Sequence, residues 1–332
     1  MRQLTRSITE PFPIAGTKLF LGTSGAPTII PCVQFQKVAI LGVGLLGGSL
    51  GLAIARRKLA EKTAGYVRRE ASLVACREHT LVDEVTMDLE EAVRDADLIV
   101  LCTPLGQMKV LAGQILPHLK PGAIVTDVGS VKGGVVAELE PLFSSAGARF
   151  VGSHPMAGSE QSGPAAAMED LYEKAMCIVT HTPDTDAEAL TAIETFWQSV
   201  GARTLCLAPD LHDDLTSRCS HLPHIVAAEL ANYVLSPVHP VEQAALCATG
   251  FRDTTRIASG SPEMWHDIVA SNRKHLLRVL NVFIEDLQEF YLALERNDMN
   301  AVIEFFKTAK TRRDQWQQDF NRKRTNDPPE KS

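Results

Sequence analysis

The chain has 332 residues, enough for two domains of ordinary size, and is 45% hydrophobic and 22% charged, a globular rather than a disordered composition. Its net charge of −7, from 33 basic and 40 acidic residues, gives no basic excess and argues against a nucleic-acid partner. Seven scattered cysteines without a Cys-x-x-Cys pair argue against a disulfide framework and a zinc site; they fit a cytoplasmic protein with no metal. Residues 1–35 are rich in Pro, Gly, Ser and Thr and read as a loosely ordered arm. Arg2 and Arg6 are followed by Glu10, Pro11 and Pro13 with no apolar segment, so no secretory signal is expected.

From residue 36, short apolar runs alternate with amphipathic stretches. Residues 37–41 predict a buried strand, 47–58 a helix and 64–67 a second strand. A helix at 89–92 precedes a strand at 98–103, set between Asp95-Ala96-Asp97 and Pro104. A helix at 106–119 leads through Lys120-Pro121-Gly122 to a strand at 123–128, then a helix at 132–142. Strands at 149–152 and 175–180, a helix at 187–200 and a last strand at 203–207 complete the series. Such alternation predicts a Rossmann-type, parallel, doubly wound sheet over residues 36–208.

From Asp210 the period becomes helical. Residues 271–295 place Leu276, Leu277, Leu280, Phe283, Ile284, Leu287 and Tyr291 at helical spacing, and 297–320 read as another helix. An all-α domain is therefore expected over 209–321, with a disordered tail at 322–332. No further βαββαβ pattern follows.

Residues 38–55 form an uncharged stretch of eighteen, the threshold for a membrane span. A nucleotide turn explains it better, and no membrane partner is expected. Val38 to Leu41 leads into Gly42-Val43-Gly44-Leu45-Leu46-Gly47, a strand entering G-x-G-x-x-G. Gly42 allows the tight turn and Gly44 lets backbone approach a pyrophosphate. Gly47 packs helix on sheet, with Leu45 and Leu46 in the same binding turn. The strand before the motif and the helix after it supply the context such a motif requires.

The second strand bears on the choice of cofactor. An acid about 20 residues beyond the glycines would bind a ribose 2′-hydroxyl. Here Val67 stands in its place, followed by Arg68, Arg69 and, shortly after, Ser72. Guanidinium groups suit a 2′-phosphate, which favours NADP over NAD. The alternative is that both arginines are surface charge and Glu70 takes the ribose. Thr103 and Pro104 end a strand at the edge where cofactor and substrate meet in this architecture.

Four further clusters carry polar chemistry. Asp127-Val128-Gly129-Ser130-Val131-Lys132 closes a strand at that edge, where Ser130 could serve a site or cap the next helix. Gly152-Ser153-His154-Pro155-Met156-Ala157-Gly158-Ser159-Glu160 sets one histidine among small residues, a candidate proton acceptor. His221 and His224, three apart on one helix face, could bind a metal, but no third ligand is evident. Gly250 to Ala258 packs Arg252, Asp253 and Arg256 into a short helical region, a site or a solvated charged face.

Together these residues resemble the prephenate dehydrogenase family, which includes arogenate and cyclohexadienyl dehydrogenases. The resemblance spans about residues 38 to 310. It implies a Rossmann domain, an all-helical dimerisation domain and a homodimer. It also implies oxidative decarboxylation of prephenate, or of arogenate, with hydride transfer to NAD or NADP. By the same resemblance, His154 is the general base or polarising partner of the ring hydroxyl and Ser130 orients that hydroxyl. Arg256 holds a substrate carboxylate, and His224 and, less surely, His221 line the pocket. Glu160 gates or orders the site through an arginine network involving Asp253. Two rivals stand beside this reading. One is a β-hydroxyacid dehydrogenase, which would use a lysine such as Lys274. The other is a nucleotide-binding sensor that has lost catalysis.

Overall fold

The computed structural model describes residues 35–159, 161–236, 238 and 240–325. Glu160, the N-terminal arm before residue 35 and residues 326–332 lie outside the described residues. Strand β1 (Phe35–Leu41) leads through the glycine turn to α1 (Leu45–Arg57) and β2 (Ala60–Tyr66). Then come α2 (Glu70–Glu78), β3 (Glu84–Thr86), α3 (Leu89–Val93), β4 (Leu98–Leu101) and α4 (Leu105–Ile115). β5 (Ile124–Asp127), α5 (Gly133–Ser145) and β6 (Arg149–Val151) follow. The six strands form one parallel sheet in the order β3-β2-β1-β4-β5-β6.

Side chains alternate across each strand, and both sheet faces are buried. Val38, Ile40, Leu98 and Val100 enter one core with Leu50 and Ile54 of α1. Ala39, Leu41, Ile99 and Leu101 enter the other with Met108 of α4 and Leu139 and Phe143 of α5. The near-unbroken apolar strands seen in the sequence follow from this two-sided burial. α2 and β3 escaped sequence reading because their pattern is weak: β3 is a three-residue edge strand with no fully buried side chain.

The chain places β2 and β3 on one side of β1, then crosses to β4 on the other. That reversal lies between β1 and β4, where Leu41 pairs with Leu101. Crevices at such a switch point, beyond the carboxyl ends of the strands, are where this fold binds ligands.

The later strands depart from the expected single sheet. β7 (Ser153–Pro155), β8 (Met176–Thr180) and β9 (Arg203–Leu207) form a separate three-stranded sheet, with β7 antiparallel to β8 and β8 parallel to β9. Gly152 makes the break between β6 and β7. A Cβ there would stand 2.6 Å from Thr180 Oγ1 and 2.8 Å from Val136 Cγ2, so only glycine lets the strands pass this closely. α6 (Ala187–Val200), capped by Asp186, packs Phe196 and Trp197 into the first core.

Beyond β9 the described structure is helical. α7 (Pro209–Thr216), a π turn (Ser217–His221) and α8 (Leu222–Val234) run as one interrupted helix. Pro223 lacks an amide hydrogen and crowds the carbonyl one turn back, and a π turn is one way to absorb that defect. α9 (Pro240–Leu246), α10 (Thr249–Thr255), a 3-10 turn (Arg256–Ser259) and α11 (Pro262–Ser271) follow. The long helices α12 (Arg273–Glu295) and α13 (Met299–Thr325) pair through Phe290 and Phe305, whose rings lie 4.6 Å apart. α13 continues through residues 322–325, which the sequence assigned to a disordered tail. Residues 38–55 divide between β1 and α1, and no described helix is long and apolar enough to cross a membrane.

Candidate active site

The glycine turn has the shape its spacing required. Gly42 has φ +104, and a Cβ on it would lie 2.6 Å from the Cys102 carbonyl oxygen. A Cβ on Gly47 would fall 2.1 Å from the Gly42 carbonyl oxygen. Gly44 differs: nothing lies within 4 Å of its Cβ position, so its glycine leaves open space. It is the N-cap of α1, with no capping side chain and no acid in the first turn. A helix N-terminus open in this way favours an anion. Leu45 and Leu46 form that first turn, and the Leu46 carbonyl accepts the Tyr172 hydroxyl at 2.7 Å. Thr103, just past β4, has a buried Oγ1 with no hydrogen-bond partner, and Pro104 is the N-cap of α4. An open glycine, a free helix end and an orphaned hydroxyl fit a dinucleotide. Val67 is buried in the core, whereas Arg68 and Arg69 are exposed, Arg69 as the N-cap of α2. Ser72 lies in the first turn of that helix, its amide bonded to the Arg69 carbonyl at 3.0 Å.

At the end of β5, Asp127 is fully buried and pairs with the equally buried ammonium of Lys132. Its carboxylate also accepts the amides of Gly129 at 2.8 Å and Ser153 at 3.1 Å, while Lys132 Nζ donates to the Ser153 carbonyl at 2.9 Å. Trp197 Nε1 donates to Ser153 Oγ at 2.9 Å. A buried charge pair is tolerated only with this kind of satisfaction, and here it bolts β7 to the carboxyl edge of the main sheet. His154, on β7, is thus a buried strand residue, only 6% exposed.

His154 Nδ1 lies 2.8 Å from His212 Nε2, and His212 Nδ1 lies 2.8 Å from Asp213 Oδ1. Asp213 also accepts the amides of Lys132 and Gly133, each at 2.8 Å. Burial, reinforced by His212 and Lys132, holds the His154 imidazole well below the ordinary histidine range. Burial likewise lowers His212, against the pull of Asp213. Burial alone would raise Asp213, but the His212 bond and the two amides outweigh it and keep the carboxyl below its usual value. Two neutral imidazoles and an anionic carboxylate result.

Ser130 does not cap the following helix. α5 begins at Gly133 with Lys132 as N-cap, and Asp213 takes the amides there. The Ser130 carbonyl faces His221 without a formed hydrogen bond, since His221 Nε2 is buried and unpaired. His221 Nδ1 accepts from Asn272 Nδ2 at 3.1 Å, and burial lowers the ring to about 4. His224 Nδ1 donates to the Ser220 carbonyl at 2.9 Å, and its ring lies 4.1 Å from that of Trp265. The two histidines are thus engaged separately, and no group of three or more metal-ligating side chains gathers among the described residues. Arg256 opens the 3-10 turn that packs against α8. Asp253 is exposed and pairs with Arg252 at 3.1 Å, which places it on a solvated face. Lys274 is exposed and faces Asp210 at 3.6 Å, remote in character from a buried catalytic lysine.

Sequence reading missed His212, Asp213, Asn272 and Trp265. His212-Asp213 lies in an ordinary amphipathic helix with no spacing signal. Only the packing of α7 on α5 and β8 brings the pair to His154.

A glycine turn at the switch point of a parallel sheet, with a buried uncharged imidazole at the same edge, is the equipment of a dinucleotide-dependent dehydrogenase. Residues 50–206 match the family model for the prephenate dehydrogenase nucleotide-binding domain, and residues 208–308 match that for the prephenate dehydrogenase dimerization domain. The chain is 34% identical to a cyclohexadienyl dehydrogenase of Zymomonas mobilis, covering 84% of this chain and 95% of that one. It is 34% identical to a prephenate dehydrogenase of Bacillus subtilis, covering 84% and 76%. A solved structure of prephenate dehydrogenase from A. aeolicus, in complex with hydroxyphenyl propionate and NAD+, superposes with a TM-score of 0.79 at 32% identity, covering 84% and 98%. The chain belongs to the prephenate dehydrogenase family and is an NAD(P)-dependent oxidoreductase.

Proposed function

We propose that this protein oxidatively decarboxylates prephenate to 4-hydroxyphenylpyruvate, with NADP preferred over NAD, as a cytoplasmic homodimer. The observation that carries this reading is the buried, neutral His154 with its Nδ1 engaged, in a chain whose two halves match the two domains of this family. The glycine turn, the α1 N-terminus and Thr103 would hold the nucleotide, and Arg68, Arg69 and Ser72 would meet a 2′-phosphate. The nicotinamide, when bound, supplies the hydride acceptor.

His154 acts on the substrate's ring hydroxyl. It takes the hydroxyl proton as the hydride leaves the same carbon. Carbon dioxide then departs from the opposite ring position, its bonding electrons aromatise the ring, and the proton returns to the phenol oxygen. Ser130 orients the hydroxyl, Arg256 holds a carboxylate, and His224 and His221 border the substrate. The unpaired buried Nε2 of His221 supports that last placement, because a buried donor without a partner calls for a ligand acceptor. Glu160 and Asp253 would order the entrance.

The helical half supports self-association: Tyr233, Leu246, Leu277, Ile284, Tyr291 and Phe306 are exposed on a single chain, more apolar surface than a monomer usually leaves open. The deciding experiment follows absorbance at 340 nm with prephenate and with arogenate, each with NAD and NADP. Fastest reduction with prephenate and NADP is expected. Preference for arogenate would transfer the reading to that substrate, and no reduction with any pair would favour a sensor.

A further inference from the structure

We infer that His212 and Asp213 are positioning residues that fix His154 as its Nδ1–H tautomer and so leave Nε2 as the proton-accepting nitrogen. This rests on the reading of His154 as the base.

The assignment follows the donors along the chain of contacts. Asp213 is surrounded by donors: the amides of Lys132 and Gly133 and, at 2.8 Å, His212 Nδ1. A carboxylate there can only accept, so His212 Nδ1 carries the proton. A neutral imidazole has one N–H, so His212 Nε2 is an acceptor. His154 Nδ1, 2.8 Å from it, must then donate. Its single proton is thereby spent on His212, and Nε2 holds the lone pair. Which ring nitrogen is protonated is set by what the other one touches. Without His212, nothing in this contact chain would prevent the proton from sitting on Nε2, where it would block acceptance from a hydroxyl. The ring is also held in place: the 2.8 Å contact joins β7 to α7, and the His154 and His212 rings meet edge to face at 70°. When Nε2 takes a proton, the imidazolium formed faces the Asp213 carboxylate through His212, so the new charge has a fixed counter-charge without Asp213 itself being protonated. The same logic, a third group orienting a base, operates in hydrolytic triads on unrelated folds.

The test combines a tautomer measurement with kinetics on the full-length protein. Histidine-selective 15N labelling, with the His154 signals assigned by their loss in His154→Asn, reads the protonated nitrogen directly. Nδ1–H is expected in the wild type, and Nε2–H would overturn the inference whatever the activity. His212→Leu is expected to lower kcat about 10²-fold or more, the scale of a misplaced tautomer, with KM for substrate and nucleotide unchanged. His212→Gln, whose amide oxygen can accept from Nδ1, is expected to recover much of the loss. Wild-type kcat in His212→Leu would overturn the positioning role. Should that variant not fold, the wild-type tautomer and His212→Gln still decide. Wild-type turnover in His154→Asn would instead remove the reading of the base, an outcome distinct from all of these.

Discussion

Asp213, on a helix of the C-terminal half, takes the backbone amide of Lys132, at the head of α5 in the nucleotide-binding half, at 2.8 Å. It takes the next amide, Gly133, at the same distance. One half of the molecule thus caps a helix of the other. Removing the carboxylate leaves one buried amide, one half-buried amide and His212 without an acceptor. Asp213→Ala should lower stability by at least about 1–3 kcal/mol, the scale of one buried donor left without an acceptor. Urea unfolding measures it; a change below about 0.5 kcal/mol would show that another group replaces the cap.

His154→Asn keeps the side chain polar but removes the basic nitrogen. Turnover should fall by about 10²–10⁴-fold, the usual contribution of an acid–base group. Nucleotide affinity, read by fluorescence titration, should stay unchanged because His154 stands on β7 and not in the glycine turn. Equal losses in both would mean that the substitution disturbs the whole edge.

Arg68→Ala should weaken NADP selectively. A charge-assisted hydrogen bond contributes about 1.5–3 kcal/mol, so kcat/KM with NADP should drop about 10- to 100-fold while that with NAD holds. Parallel losses with both nucleotides, or none, would return Arg68 to the role of surface charge.

Three buried histidines make the fold acid-sensitive. His154, His212 and His221 all resist protonation in the folded state, so the unfolded chain binds more protons as the pH falls. Their stabilising effect is complete above the ordinary histidine value of about 6.5 and is lost as pH drops below it. For His221 the loss continues to about pH 4. That residue alone should remove about 2 kcal/mol between pH 7.5 and pH 5. Asp213, also lowered, adds its loss only further down, below the usual carboxylate range near 4. Unfolding free energies that stay level from pH 7.5 to 5 would contradict this.

Gly152→Ala should be costly although it adds a single methyl group. Its Cβ would approach Thr180 Oγ1 to 2.6 Å and Val136 to 2.8 Å, and overpacking of this kind costs about 1–3 kcal/mol. Because Gly152 directly precedes β7, kcat should fall as His154 shifts. A melting temperature and kcat matching the wild type would show that the backbone moves freely there.

The Rossmann strands were legible because both faces of the sheet are buried, leaving apolar runs between turn residues. The glycine turn was legible because Gly42 and Gly47 stand where a Cβ would collide with backbone, which leaves glycines at fixed spacing. The separate sheet carrying His154 was not, since three-residue β7 has no periodicity and its partners β8 and β9 look like further strands of the first sheet. The π turn that carries His221 was equally silent, although Pro223 marks the place where a regular helix would fail.

The sequence by itself determined the nucleotide turn, the division into an α/β half and a helical half, and the candidacy of His154. These are local properties, written in the spacing of glycines and apolar residues. Only the tertiary structure decided what surrounds that histidine. Asp127 with Lys132 fixes its strand, and His212 with Asp213 meets its ring from 58 residues further along the chain. Hydrogen-bond partners that far apart leave no period in a sequence, because it is helix packing, not residue spacing, that brings them together.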